Sequence, residues 1–302
     1  EKHDFSAKTV FLIFAYFLAA FYFSLIVHEL GHVVFAVASN VPIRCVQLGF
    51  LLFVSYGKKT SAKLSSHILK GCVLCDYSDI DIGSRGLSVI AKKIKLILLG
   101  GSLGNILMIV ASVLLLAFTE FASELFQFVL LINAVILLGA FLENQDLYMR
   151  TAISRNAKEA IPYLAEELVI GGSPSGYLYG LVKEYVLLNI ISHNYSARLF
   201  YLIVILLRYN YINGISSNDV VKHFGELQNT KNEMSYSAKL YYGLLLIEMR
   251  QLRIDGADYG EEKLVPGILT KTSFKHPMSY IYRYFDTFSP FMALSGQLVD
   301  YV

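Results

Sequence analysis

From Val10 to Val27 the chain carries no charged side chain, and the apolar character persists to Ala38 with strongly polar breaks at His28, Glu29 and His32. A helix needs about 20 mostly apolar residues to cross the hydrocarbon core of a bilayer, so Thr9–Ala38 is predicted to span a membrane. Leu96–Phe118 predicts a second span, with Gly100, Gly101, Gly104 and Asn105 near its start. Leu125–Leu142 predicts a slightly short third, with Asn133 inside it and Glu143, Asn144, Gln145 and Asp146 just past its end. The brief Thr119–Glu124 link makes the second and third an antiparallel pair. Between the first two spans, Val41–Tyr56 is rich in β-branched and aromatic residues, with Gly49 inside and Gly57 just beyond. That pattern predicts a pair of strands, followed by a polar stretch, Lys58–Lys95.

After Arg150 the pattern changes. Apolar stretches such as Leu199–Leu207, bracketed by Arg198 and Arg208, are too short to span and read as core faces of packed helices. Helical patterns fall near Ala157–Ile170, Gly176–Ile191, Ser196–Tyr209, Asn218–Leu227, Ser235–Arg253 and Pro277–Phe285. Turn signals at Gly171-Gly172-Ser173-Pro174, Asn213-Gly214 and Asp255-Gly256 separate them. The fold class expected is mainly α and polytopic: a three-helix transmembrane core with a small β segment over residues 1–150 (insert 41–95), then an α-helical, hairpin-array-like domain over residues 151–302.

Composition agrees with that division. Of 302 residues, 55% are hydrophobic and 17% charged, with a mean hydropathy of +0.51, too apolar for an ordinary soluble domain and too charged for membrane spans alone. A net charge of +2 without a basic cluster argues against a nucleic-acid partner. Cys45, Cys72 and Cys75 are too few for a disulfide framework, and the lone Cys72/Cys75 pair reads as reduced bystander thiols. Positive charge sets the orientation. The Val41–Lys95 connection carries Lys58, Lys59, Lys63, Lys70, Arg85, Lys92, Lys93 and Lys95, while Thr119–Glu124 has two acids and no base. By the positive-inside rule the connection is cytoplasmic and the short link external. The N-terminus is then outside and the chain after the third span cytoplasmic, in a multi-pass protein of the cell membrane. Arg150, Arg155 and Lys158 agree, whereas Lys2 and Lys8 run against it. No small-x-small cleavage site follows the first apolar run, which argues against a cleaved signal peptide.

The chemistry is concentrated in His28-Glu29-Leu30-Gly31-His32. Histidines four apart lie one turn apart on a single helical face, so both imidazoles reach one metal ion. Neutral imidazole suits Zn2+, and a hydrolytic zinc site keeps three protein ligands and an open position for water. Glu29 stands where a general base would act on that water. A motif this short also arises by chance, but ionised groups cost roughly 2.5–3.5 kcal/mol each at the bilayer centre, so inside a span function is the default reading. For the third ligand Asp146 is favoured, because the topology places it at the depth of the motif. Glu143 is its main rival, with Asp76, Asp79 and Asp81 further off. Gly100 and Gly104, on one helical face, allow close helix approach. Asn105 would either hold a substrate carbonyl or make an interhelical hydrogen bond.

These residues resemble the site-2 protease family of intramembrane zinc metalloproteases over about Phe11–Arg150. His28-Glu29-Leu30-Gly31-His32 matches the family's His-Glu-x-Gly-His form, which implies His28 and His32 as zinc ligands and Glu29 as catalytic base. Gly100-Gly101-Ser102-Leu103-Gly104-Asn105 is similar to the family's small-residue turn ending in Asn, with Ser102 where proline is usual. Asn144-Gln145-Asp146-Leu147-Tyr148 is similar to its Asn and Asp-Gly segment, which implies Asp146 as the remaining ligand, with Leu147 in place of the usual glycine. The resemblance also implies that Val41–Tyr56 holds an extended substrate by strand addition.

The function expected is therefore hydrolysis of peptide bonds in membrane-embedded or membrane-associated substrates, with the bilayer as surroundings and a protein partner possible through the C-terminal helices. One alternative is a membrane binding or immunity-type protein that keeps the metal-site shape without catalysis. Another is a different membrane zinc protease lineage, with Glu166 or Glu167 as third ligand.

Overall fold

The structure, a computed structural model, describes residues 7–56, 59–64, 71–77, 86–118, 123–142, 145–165, 167–170, 176–192 and 196–221, with Leu245. They are mostly helical and fall into two compact units, one holding residues up to Asp76 with Ser88–Ala157, the other Tyr77–Leu87 with residues from Lys158.

In the first unit, helix α1 (Ala7–Ala38) carries the motif in its last third. It stops because Asn40 adopts a left-handed φ of 51°. The Val41 N–H then donates to the Ala36 carbonyl at 2.9 Å and the Asn40 N–H to Val37 at 3.0 Å, the paired bonds of a Schellman cap. Helix α2 (Gly86–Phe118) begins ten residues before the predicted span, so Lys92, Lys93 and Lys95 stand in its early turns rather than in a loop. Their long stems let the ammonium groups reach out of an apolar layer. Nor does Gly100–Asn105 form a turn; α2 runs through it unbroken, because Ser102 keeps the backbone N–H that a proline would remove.

Both α1, from Thr9, and α2 are long and apolar enough to cross a membrane, and only 17% and 28% of their apolar windows are buried. A soluble core helix would hide such a surface, whereas here large side chains such as Phe11, Phe14, Leu107 and Val110 are exposed. Helix α3 (Ser123–Gly139) is shorter than the predicted third span, at 17 residues. It packs on the other two through Ala20, Val129 and Ile132, joined by Phe21, Met108, Leu125, Phe128 and Ile136. Within this apolar seam the Asn133 amide donates to Ser24 Oγ at 2.7 Å and to the Val129 carbonyl at 2.8 Å.

The predicted strand pair is present as β1 (Ile43–Leu48) and β2 (Leu51–Tyr56). Leu48 faces Leu51 across a two-residue turn, where Gly49 at φ 62° takes a conformation that side chains resist. Phe50, at the tip, packs edge-on against Tyr22 of α1 at 6.2 Å. The stretch read as polar loop adds two more strands, β3 (Lys59–Leu64) and β4 (Gly71–Cys75), giving the antiparallel order β3-β2-β1-β4. β1 and β2 thus have neighbours on both sides, so strand addition to the Val41–Tyr56 segment is closed; the outer strands are β3 and β4. Arg44 closes the far end of the sheet with a 2.6 Å ion pair to Asp76.

In the second unit, α5 (Ile161–Ala165), α6 (Glu167–Ile170) and α7 (Gly176–Ile191) pack with α8 (Ala197–Ile212). α7 matches its predicted bounds, and Leu202–Leu207 of α8 is buried on every side, as a central helix should be. The patterns at Ser235–Arg253 and Pro277–Phe285 lie outside the described residues, Leu245 excepted.

Candidate metal centre

His28 and His32 turn the same way from α1, and their Nε2 atoms lie 3.2 Å apart. Asp146 Oδ2 completes a triangle, 3.3 Å from His28 Nε2 and 3.1 Å from His32 Nε2. Among the described residues these three are the group of His, Cys and acidic side chains placed to hold a metal ion.

A capped turn after α3 delivers Asp146 to the site. The Ala140 carbonyl accepts from the N–H groups of Leu147 and Tyr148 at 3.0 and 3.1 Å, satisfying donors at the start of α4 (Asp146–Arg155) that would otherwise be orphaned. Asp146 is the first residue of α4, where the helix dipole favours a carboxylate. Met149 and Ile153, three and seven residues on and so on the same side of the helix as Asp146, anchor it by their burial. Asp146 Oδ2 is the carboxylate oxygen that faces both imidazoles.

The other ring nitrogens are also engaged. His32 Nδ1 lies 2.7 Å from the Ile97 carbonyl; a carbonyl only accepts, so Nδ1 carries the proton and Nε2 is left as a lone pair. His28 Nδ1 lies 2.9 Å from the Asn105 amide. Asn105 is fully buried, and its Oδ1 has no hydrogen-bond partner. Turning that amide over sets Oδ1 against a protonated Nδ1 and leaves the His28 Nε2 lone pair free as well.

Two lone pairs and one carboxylate oxygen with edges of 3.1–3.3 Å fit zinc. Ligands about 2.0–2.2 Å from a tetrahedral ion lie roughly 3.3–3.6 Å from one another, so a slight opening of this triangle would seat the ion. The space beside the imidazoles is kept by Gly101, where a Cβ would come within 2.5 Å of His32 Nε2 and 2.7 Å of His28 Nε2. One residue along each helix, Gly31 and Gly100 bring the backbones of α1 and α2 into direct contact, and about a turn further along α2 a Cβ at Gly104 would stand 2.8 Å from the Val27 carbonyl. These glycines let α2 come close enough for Ile97 and Asn105 to reach the histidines.

Glu29 is buried, 5% exposed, and follows His28 directly on α1. On its other side stands Gly71 of β4. The rival acids stand elsewhere or outside the described residues. Asp76 pairs with Arg44, Glu167 accepts the Tyr77 N–H at 2.9 Å within the second unit, and Glu143, Asp79, Asp81 and Glu166 are not among the described residues. Sequence reasoning missed Ile97, Gly71 and the Ser24–Asn133 pair. A short strand read at Gly71-Cys72-Val73-Leu74-Cys75 would have pointed to the second of these, while a backbone carbonyl such as that of Ile97 leaves no trace in residue identity.

Neither a curated protein nor a solved structure matches the chain. A family model does, over residues 16–280, well beyond Arg150 where the motif resemblance ended, and its description is peptidase family M50. With a match over most of its length, the chain belongs to peptidase family M50, the site-2 protease family, and that membership implies a metallopeptidase of membranes.

Proposed function

We propose that this protein is a zinc-dependent intramembrane endopeptidase, with His28, His32 and Asp146 as metal ligands and Glu29 as general base. The observation that carries the reading is the meeting of His28 Nε2, His32 Nε2 and Asp146 Oδ2 beside a buried glutamate, on a helix of membrane-spanning length. Zinc held there would supply Lewis acidity, lowering the pKa of a water from about 15.7 to about 7 and polarising a peptide carbonyl.

The chain's own groups do the rest. Glu29 takes the proton of the attacking water as its oxygen bonds to the carbonyl carbon, then gives that proton to the amide nitrogen, which departs as the C–N bond breaks and the carbonyl re-forms. The Ile97 carbonyl and the Asn105 amide fix the ring orientation of His32 and His28, which keeps both lone pairs convergent. Asn105 is accordingly assigned to orient His28 rather than to bind substrate. A substrate helix must unwind first, because helical carbonyls are tied up in hydrogen bonds; β4, the outer strand beside Glu29, is the edge best placed to receive it. The three helices α1–α3 form the membrane core, with the N-terminus outside and an α-helical region over residues 151–302 in the cytoplasm.

Purified Glu29→Gln protein should retain zinc at the wild-type ratio and cleave nothing. Wild-type turnover by that variant would remove Glu29 from the mechanism and favour a different base.

A further inference from the structure

We infer that Gly71, the first residue of β4, is a positioning residue for the Glu29 carboxylate; the inference rests on the peptidase reading of the same site. A Cβ at Gly71 would meet Oε1, Cδ and Cγ of Glu29 together, the last two at 2.7 Å. The sheet thus reaches the site through a backbone with no side chain, and that backbone forms the wall against which the base rests. Gly71 does not take the left-handed backbone that would itself demand glycine. Alanine fits β4 conformationally, with its methyl group directed at the base.

The character of this contact differs from that at Gly31, Gly100 and Gly104, whose added Cβ atoms would strike the backbone of the facing helix. A helix backbone cannot step aside, so those substitutions act on the fold. Glu29 is a flexible side chain and can swing away, so a methyl at Gly71 moves the carboxylate and leaves the helices in place. Misplacing a reacting group by about 1 Å costs on the order of a hundredfold in rate. Gly71→Ala is expected to retain zinc and thermal stability while losing ten- to hundredfold in kcat, with KM little changed.

A double-substitution cycle separates this from a general packing defect. Glu29→Asp withdraws the side chain from the methyl, so adding Gly71→Ala to Glu29→Asp should cost no further activity. The probe is fluorescently labelled casein in detergent micelles, with the full-length chain. Wild-type kcat in Gly71→Ala, or an equal loss in both backgrounds, overturns the inference.

A second measurement does not depend on turnover. An added Cβ at Gly71 would stand 2.7 Å from Cγ of Glu29, one bond from the Glu29 Cβ, so the two Cβ positions do not exceed the upper limit of about 4.5 Å for a disulfide. With the three native cysteines replaced by alanine, Glu29→Cys combined with Gly71→Cys should therefore oxidise to an intramolecular disulfide, detected by mass spectrometry. Absence of that bond in folded protein means that β4 does not back the base, and overturns the inference. Failure of the peptidase reading looks different: wild-type protein that neither holds zinc nor cleaves the probe, whatever the cysteine pair does.

Discussion

Asp146 and Glu143 stand three residues apart in sequence, and ligand chemistry does not tell one carboxylate from the other. What favours Asp146 is the Ala140 carbonyl, which ties down the N–H groups of Leu147 and Tyr148 and so aims the first residue of α4 at the two imidazoles. Asp146→Ala should therefore emerge from purification with less than roughly a tenth of the wild-type zinc, since it removes one of three ligands, and Glu143→Ala with nearly all of it. The opposite ranking in metal analysis would transfer the third ligand to Glu143. Asn105 belongs to the same scale. If it orients a ligand rather than serving as one, as proposed, Asn105→Ala should weaken zinc affinity about 10- to 100-fold in competition with a chelator. An unchanged affinity would return Asn105 to a substrate-binding role. The two histidines and the glutamate were legible in sequence because their spacing is itself the chemistry. Gly71 and the Ile97 carbonyl were not, since one has no side chain and the other acts through its backbone.

The crossing of α1 and α2 depends on glycine at the scale of the element. At Gly31 an added Cβ would collide with the carbonyl of Gly100, and the reverse substitution would strike the carbonyl of Gly31. Overpacking of this kind costs about 1–3 kcal/mol, and it pushes Ile97 and Asn105 away from the histidines. Gly31→Ala should lower the unfolding temperature in detergent and release zinc together, the reverse of what Gly71→Ala does; a variant that melts and binds metal as wild type would show that the helices are not in contact there. The α1–α3 seam is held differently, by the buried bond from Asn133 to Ser24. Its loss in Asn133→Leu should cost roughly 0.6–2 kcal/mol, seen as a lower unfolding temperature with zinc retained. Sequence periodicity located α1, the β1–β2 hairpin and α7 closely. It misjudged the start of α2, where lysines marked a loop to a reading based on charge, and it passed over β3 and β4, whose strands are short and mostly polar or flanked by polar residues.

For the molecule as a whole, the distribution of lysine and arginine predicts the orientation proposed for the chain across a membrane. A single cysteine at Ser154 in a cysteine-free background should react with an impermeant thiol reagent only from the cytoplasmic side, and one at Phe121 only from outside; reversed labelling would invert the topology. Sequence by itself determined that the protein has apolar helices of membrane-crossing length, that a zinc-hydrolase motif sits on the first of them, and which family supplies its nearest pattern. These are properties of composition and of spacing along one helix, where residues four apart must share a face. Tertiary structure alone decided which carboxylate meets the histidines, that β4 rather than the predicted strand pair lies at the sheet edge beside the base, and that Ile97 and Asn105 hold the imidazoles. Those contacts join residues from 42 to 118 positions apart, and they are brought together by glycine-permitted helix approach, sheet order and a carbonyl-capped turn after α3, none of which is written in the identity of the residues that finally touch.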